Sequence, residues 1–389
     1  MWGGSEVALR SLSAVFWLGT VVVMWRIGKE LKIPHPSLVG LLALTQPLLV
    51  QYAFEARSYA MLGFLTAVSI LLFVIKWRLE RQERPSLGVN IVLVAVLAAA
   101  LYTHIFAAWV VLILILVAIW KRLHWWWLVL PIILFGLWVP NILRFSVAGG
   151  ALPYKLDWHF TWQTLLLLGT PILVLLIPVV PKLWKNEKFQ FLAIAWAVPI
   201  IGTWVYSKLK QFLFLDRYLI EAVVPMLLLL AMSLREKLGP IIVGSVIVTQ
   251  AVVAVLIFGR FTFPNPELEP VNQAVEIVGK QPYRDLADYV KSNERPKDLV
   301  VNATPLTYLE AHYYGLNSIV YNPHNRHIPA YLGSILIDPR DVVMKVPGAS
   351  RYWVISSTEG GGNSSDPFPG RLLSTKSFGK LQLSLYVES

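Results

Sequence analysis

The chain has 389 residues, 56% of them hydrophobic and only 15% charged, and contains no cysteine. Soluble domains carry about 25% charged residues, so the composition points to a membrane-embedded protein, and the lack of cysteine excludes a disulfide framework, a thiolate metal site and a cysteine nucleophile. The net charge of +11 is not a nucleic-acid footprint: residues 1–258 hold 21 Lys and Arg against 10 Asp and Glu, whereas residues 259–389 hold 13 of each, so the excess lies between apolar segments, as in loops that set membrane topology.

In chain order, the apolar runs predict about ten spanning helices. They fall at Val7–Arg26, Leu38–Ala53, Tyr59–Trp77, Leu87–Tyr102, Ile105–Trp120, Trp125–Leu143, Trp162–Val180, Phe191–Tyr206, Tyr218–Leu234 and Pro240–Phe258. The stretch Leu87–Trp120 has no formal charge across 34 residues. As one helix it would be about 51 Å long, too long for a single crossing of a ~30 Å hydrocarbon core. It must therefore turn back on itself, and Tyr102-Thr103-His104 is the natural place. The spans look nearly free of charge in mid-membrane. Abundant tryptophan (16 residues) suits helix ends at a bilayer interface.

Lys and Arg counts in alternate loops give the orientation. One side carries 14, from Arg26 through Lys76–Arg84, Lys121-Arg122 and Lys182–Lys188 to Lys237; the other carries 7 outside the C-terminal region. The richer side is cytoplasmic by the positive-inside rule, which puts the N-terminus and the C-terminal domain outside. The predicted division is 1–260 for the helical bundle and 261–389 for a small α/β domain. Pro264, Pro266 and Pro270 mark the boundary. Tyr283–Ser292 has helical spacing, Leu299–Ala303 reads as a buried strand before a helix near Leu306–Tyr314, and Ser318–Tyr321, Tyr352–Ser356 and Leu381–Val387 read as further strands. Gly360–Ser365 reads as a surface loop.

The most informative segment is Gln46–Tyr59 (QPLLVQYAFEARSY), which joins the second and third predicted spans with almost no loop. Glu55 and Arg57 at a membrane surface have two readings. They are an interfacial ion pair that ends two helices, or a carboxylate and a guanidinium facing a cavity, where arginine can grip a phosphate in bidentate fashion. His104 is either a turn-capping histidine or a ligand, and Arg217 either an anchor beside Tyr218 or a phosphate-binding cation. Asp157-Trp158-His159 lies in the long loop Arg144–Thr161, and an ordinary interfacial loop is its simpler reading.

These residues also form an ordered series. Pro47…Gln51-Tyr52…Glu55-Ala56-Arg57…Tyr59 resembles the GT-C-type integral-membrane glycosyltransferases, in the branch of bacterial relatives of protein O-mannosyltransferases and aminoarabinose transferases. Gly4-Ser5-Glu6…Leu9-Arg10…Ser13, Tyr102-Thr103-His104, Asp216-Arg217-Tyr218-Leu219 before Pro225, and Tyr283-Arg284-Asp285-Leu286-Ala287…Tyr289 resemble further segments of that family, in the same order.

The resemblance implies transfer of a sugar from a polyprenyl-phosphate carrier to a lipid, glycan or protein acceptor, outside the plasma membrane and among membrane lipids. It makes Arg57, His104 and Arg217 candidates to hold the carrier phosphate, with Glu55, Tyr59, Asp157 and Tyr218 as further substrate-binding candidates. It assigns no cofactor, although a divalent metal beside Glu55 would be compatible. The family's catalytic carboxylate lies on a first outer loop ahead of the segment matched here. The reading is therefore of a chain that lacks an N-terminal span and that loop, with Glu55 the one carboxylate left as a weak candidate base. A transporter or flippase is the main rival, and a membrane scaffold the next. Convergence of Arg57, His104 and Arg217 on one cavity separates the enzyme from the scaffold.

Overall fold

The computed structural model describes residues 6–142, 156–259, 282–323, 328, 336–348, 350–357 and 368–387. Residues Gly4 and Ser5 of the first motif, loop residues 144–155, the Pro264–Pro270 boundary and the Gly360–Ser365 loop lie outside them. The chain divides into two compact units, a helical one that runs to Phe261 and a C-terminal one.

The helical unit contains α1 (Glu6–Glu30), α2 (Pro36–Thr45), α3 (Pro47–Ala53), α4 (Tyr59–Arg81), α5 (Leu87–Thr103), α6 (Ala107–Trp120), α7 (Leu130–Gly136), α8 (Trp158–Leu168), α9 (Val180–Leu183), α10 (Glu187–Leu209), α11 (Ile220–Met232) and α12 (Gly239–Gly259). Five helices are long and apolar enough to cross a membrane, or six if the bent pair Trp158–Leu168 and Thr170–Leu176 is one span; four shorter apolar helices accompany them. The chain is a multi-pass membrane protein.

Each of the ten predicted runs is helical at least in part, but two are not single rods. The run Leu38–Ala53 breaks at Gln46, which is extended (φ −65°, ψ 118°), because Pro47 excludes its neighbour from the helical region and its own ring opens α3. The Gln46 side-chain oxygen then accepts from the Leu49 amide at 2.9 Å. The run Trp162–Val180 bends by 66° at Gly169-Thr170-Pro171. Gly169 has φ +77°, a conformation that a side chain would resist, and Pro171 cannot continue the hydrogen bonding of α8.

The charge-free stretch Leu87–Trp120 folds as a hairpin. Helix α5 stops at Thr103, His104 is extended, and α6 starts at Ala107. Helix α11 is the central post: all thirteen of its residues are buried, and it packs against α10, α4, α2 and α12.

Two charged residues near the ends of the predicted runs are buried. Glu221 in α11 is 2% exposed, and the Lys76 side chain in α4 is wholly enclosed. Lys76 pairs with Glu80 one turn on, and Glu80 also accepts from the Ser86 hydroxyl and the His124 amide. Both charges sit close to the ends of apolar runs, where they read as exposed.

The C-terminal unit is a six-stranded mixed sheet with β1 (Leu299–Asn302), β2 (Ser318–Tyr321), β3 (Val342–Val343), β4 (Arg351–Ser357), β5 (Arg371–Phe378) and β6 (Leu381–Val387), in the order β3-β2-β1-β4-β6-β5. The first four strands in that order are parallel, and β4-β6-β5 are antiparallel. Helices α13 (Tyr283–Asn293) and α14 (Pro305–Tyr313) pack against each other and on the sheet. The predicted strands and helices of this unit are present; β3 and β5 are additional. Nearly every residue of β5 is exposed, so its sequence lacks the alternation that a half-buried strand shows. Asn302 is buried in β1 and donates to the Ser318 hydroxyl and the Ile319 carbonyl. Asp298, with a side chain 4% exposed, accepts from the Arg351 guanidinium and the Trp353 indole, each at 3.0 Å.

Two predictions follow from this packing. A Cβ at Gly202 in α10 would lie 2.3 Å from the Trp109 ring of α6, whereas one at Gly244 would meet nothing within 4 Å. Gly202→Ala should therefore cost about 1–3 kcal/mol and lower the thermal unfolding midpoint, while Gly244→Ala should leave it unchanged or raised. Asp298→Ala leaves the Arg351 charge enclosed without its carboxylate and should cost about 3 kcal/mol; hydrogen exchange in β4 should accelerate while exchange in α4 and α11 stays as it was.

Candidate functional site

Three turns meet at one end of the helical unit. In the first, Phe54–Ser58 joins α3 to α4. The Ser13 hydroxyl of α1 donates to the Glu55 carbonyl at 2.6 Å, which ties the turn to the first helix. Glu55 and Arg57 form a loose ion pair at 3.7 Å, with the Arg57 side chain 57% exposed and that of Glu55 23%. An exposed pair of this length contributes about 0–1 kcal/mol, so Arg57 is not tied up by it.

The second turn is His104–Phe106, between α5 and α6. The His104 amide donates to the Ala100 carbonyl at 2.9 Å, which ends α5. Its Nδ1 accepts from the Phe106 amide at 3.3 Å, which leaves Nε2 to carry the proton as a donor. Burial, with the Arg217 charge as a smaller contribution, pushes the imidazole down to about 4, so His104 is neutral at physiological pH.

The third turn is Asp216–Leu219, one 3-10 turn that leads into α11. Asp216 accepts from the Tyr52 hydroxyl at 3.1 Å, a bond across 164 positions of sequence. The Arg217 guanidinium lies 5.3 Å from the Tyr218 ring centre. Among the described residues it forms no ion pair with a carboxylate, although it is half-buried.

Aromatic contacts join the three turns. Tyr52 packs on Tyr59 at 4.8 Å, Tyr59 on His104 at 5.6 Å, and His104 on Tyr218 at 5.6 Å, while Phe106 stacks on Tyr218 at 5.0 Å. The charges of Arg217 and Arg57 both act on the Tyr59 hydroxyl, and that of Glu55 on the Tyr52 hydroxyl. Glu55, Arg57, Tyr59, His104, Arg217 and Tyr218 therefore belong to one cluster.

Asp157 does not join the cluster through its carboxylate, which caps α8 by accepting from the Phe160 amide at 2.8 Å. Trp158 beside it is exposed, with Lys208 5.9 Å from its ring. Its carboxylate is used in this cap, as the simpler loop reading of the segment expects.

Sequence reasoning passed over three members of the cluster. Tyr52 and Asp216 stand inside quoted motifs, but their mutual bond joins α3 to the head of α11 and has no local signal. Phe106 looks like one more apolar residue of α6. Among the described residues no three His, Asp or Glu side chains gather in one place.

The backbone adds to the electrostatics. Helices α4, α6 and α11 all begin at this cluster, and the residues that precede them, Ser58, Phe106 and Leu219, make no side-chain cap bond. The positive ends of three helix dipoles therefore lie at the cluster, although the first amides of α6 are already bonded, Ala107 to the His104 carbonyl and Ala108 to the Ile105 carbonyl, each at 3.0 Å, and α11 continues directly from the Asp216–Leu219 turn. Two arginines and an Nε2–H donor, in the field of these helix ends, suit an oxyanion, above all a phosphate.

The neutrality of His104 is testable. Nitrogen NMR of histidine-labelled protein in nanodiscs should show a neutral imidazole, protonated at Nε2, from pH 8 down to about pH 5. Because the folded value is lowered, protonation favours the unfolded chain, and stability should decline as pH falls from about 6.5 towards 4. That decline should be smaller in His104→Gln.

No protein-family model matches the chain, and no curated protein matches it. Solved structures do. The ArnT protein of Cupriavidus metallidurans bound to undecaprenyl phosphate superposes with a TM-score of 0.54 at 13% identity, covering 99% of this chain and 84% of that one. The same protein in the apo state gives a TM-score of 0.58 at 13% identity, with 97% and 82% covered. The resemblance read from the motifs thus holds at the level of the fold: the chain has the architecture of ArnT, a GT-C aminoarabinose transferase, over nearly its whole length.

Proposed function

We propose that the chain is a glycosyltransferase that moves a sugar from a polyprenyl-phosphate carrier to a lipid, glycan or protein acceptor on the extracytoplasmic side of the plasma membrane. The observation that carries this reading is the cluster of Arg57, His104 and Arg217 at the heads of α4, α6 and α11, in a fold whose solved relative is described as bound to undecaprenyl phosphate. The excess of Lys and Arg in the loops of the opposite side supports an outward-facing cluster and an outward C-terminal domain.

In the proposed reaction the acceptor hydroxyl oxygen bonds to the anomeric carbon of the sugar as the bond from that carbon to the carrier phosphate breaks. The polyprenyl phosphate leaves with the electron pair, and the hydroxyl proton passes to a base. The chain's own contribution is to the leaving group. Arg217 has no carboxylate to satisfy it and is half-buried, so it serves as the principal partner of the phosphate. His104 donates from Nε2, and the positive dipole ends of α4, α6 and α11 add to the field there. Arg57 reaches from the rim. Glu55 is the carboxylate placed to orient an acceptor or sugar hydroxyl; Asp216 is held by Tyr52 and positions Arg217. Tyr59 and Tyr218 offer ring faces and hydroxyls to the sugar.

The grouping of these residues around Tyr59 and Tyr218 supports an enzyme over a scaffold. A transporter is the weaker alternative, because the cluster is a surface feature of the bundle rather than a mid-membrane one.

Undecaprenyl phosphate titrated into the purified chain should raise its unfolding temperature, whereas undecaprenol, which lacks the phosphate, should not. Arg217→Ala should weaken the lipid phosphate about 10–100-fold, the effect of losing a charged hydrogen-bond donor. Arg57→Ala, at an exposed position, should weaken it about fivefold or less. Equal shifts from both lipids, or an unchanged response in Arg217→Ala, would remove the basis of this reading.

A further inference from the structure

A second polar site lies inside the helical unit, apart from the cluster just described. A small cavity sits between α4, α6, α10 and α11, with room for about one water-sized particle. Its walls are apolar except for Glu221 and Thr66. Glu221 is 2% exposed and Thr66 1%. Neither carboxylate oxygen of Glu221 has a hydrogen-bond partner, and neither does the Thr66 hydroxyl.

Two prolines line the same cavity, Pro199 inside α10 and Pro225 inside α11. Each lacks an N–H, so each deprives the carbonyl four residues before it of its helical donor. Those carbonyls belong to Ala195 and Glu221, which are themselves lining residues of this cavity. The cavity therefore brings together one carboxylate, one hydroxyl and the residues of two donor-deprived carbonyls. The set has an excess of acceptors and a single negative charge. Backbone carbonyls that lose their helical donor can serve as cation ligands.

We propose that this cavity holds one sodium ion, bound by the Glu221 carboxylate, the Thr66 hydroxyl and the carbonyls of Ala195 and Glu221. Oxygen ligands and a single carboxylate match a small monovalent cation. Calcium takes six to eight oxygens and magnesium keeps several waters, and a chamber for about one particle provides neither. The ion neutralises a carboxylate that has no other partner in the described structure, and it joins four helices one turn below Arg217.

The full chain in lipid nanodiscs provides the test, with radioactive sodium-22 as the probe. The wild type should bind it saturably, at about one ion per chain. Glu221→Gln keeps the shape and removes the charge; Thr66→Val removes the hydroxyl. Each should weaken sodium at least tenfold. Melting temperature in sodium chloride should exceed that in choline chloride at equal ionic strength for the wild type, and the two should coincide for Glu221→Gln. If Glu221→Gln does not fold, Thr66→Val carries the same comparison. Sodium-22 binding no greater in the wild type than in the folded variant, or equal melting in both salts, overturns the proposal in favour of a protonated carboxyl.

Discussion

The enclosure of α11 is the constraint on which the rest of the helical unit depends. A helix buried on every side cannot shift, rotate or tilt without displacing α2, α4, α10 and α12 together. Its depth fixes the position of whatever stands at its head, and Asp216, Arg217 and Tyr218 stand there. The bond from Tyr52 to Asp216 carries that position over to α3 and hence to the turn with Glu55 and Arg57. A guanidinium on a mobile loop would pay in ordering entropy for each phosphate it held. Here the ordering comes with the fold.

The opposite end of the bundle is organised differently. Glu80 collects Lys76 from its own helix, the Ser86 hydroxyl and the His124 amide, while Lys188 lies 3.0 Å from the centre of the Trp77 ring. The buried charges there are paired with one another or set against an aromatic face. At the cluster end, Arg217 is half-buried without an ion pair among the described residues. The polarity of the molecule is thus less a matter of how many charges each end holds than of how many are already satisfied.

Much of this was legible in the sequence. Uncharged apolar runs are long enough to identify helices, and the Leu87–Trp120 run forces a hairpin by length alone. Arg57, His104 and Arg217 stood out because polar residues in short turns between apolar runs have few structural duties. Breaks at Gln46-Pro47 and Gly169-Thr170-Pro171 had a local signal in their prolines, but a window average smooths it away. Other features left no local mark. The Tyr52–Asp216 bond depends on which helices become neighbours. Burial of Glu221 depends on what surrounds α11, and a single glutamate beside Asp216 and Arg217 reads as part of an exposed end. Strand β5 draws its order from β6 alongside it rather than from any pattern of its own.

The hairpin of α5 and α6 bears on how the protein reaches its membrane. A pair of apolar helices enters a bilayer with its tip leading, and the tip has to traverse the hydrocarbon before it emerges. The three residues at this tip are His104, Ile105 and Phe106, without a fixed charge among them. With its imidazole neutral and Nδ1 already bonded to the Phe106 amide, the tip presents little that must be stripped of water on the way through. An arginine at position 104 would put a permanent cation at that tip. With a histidine there, the tip keeps a polar side chain without a fixed charge.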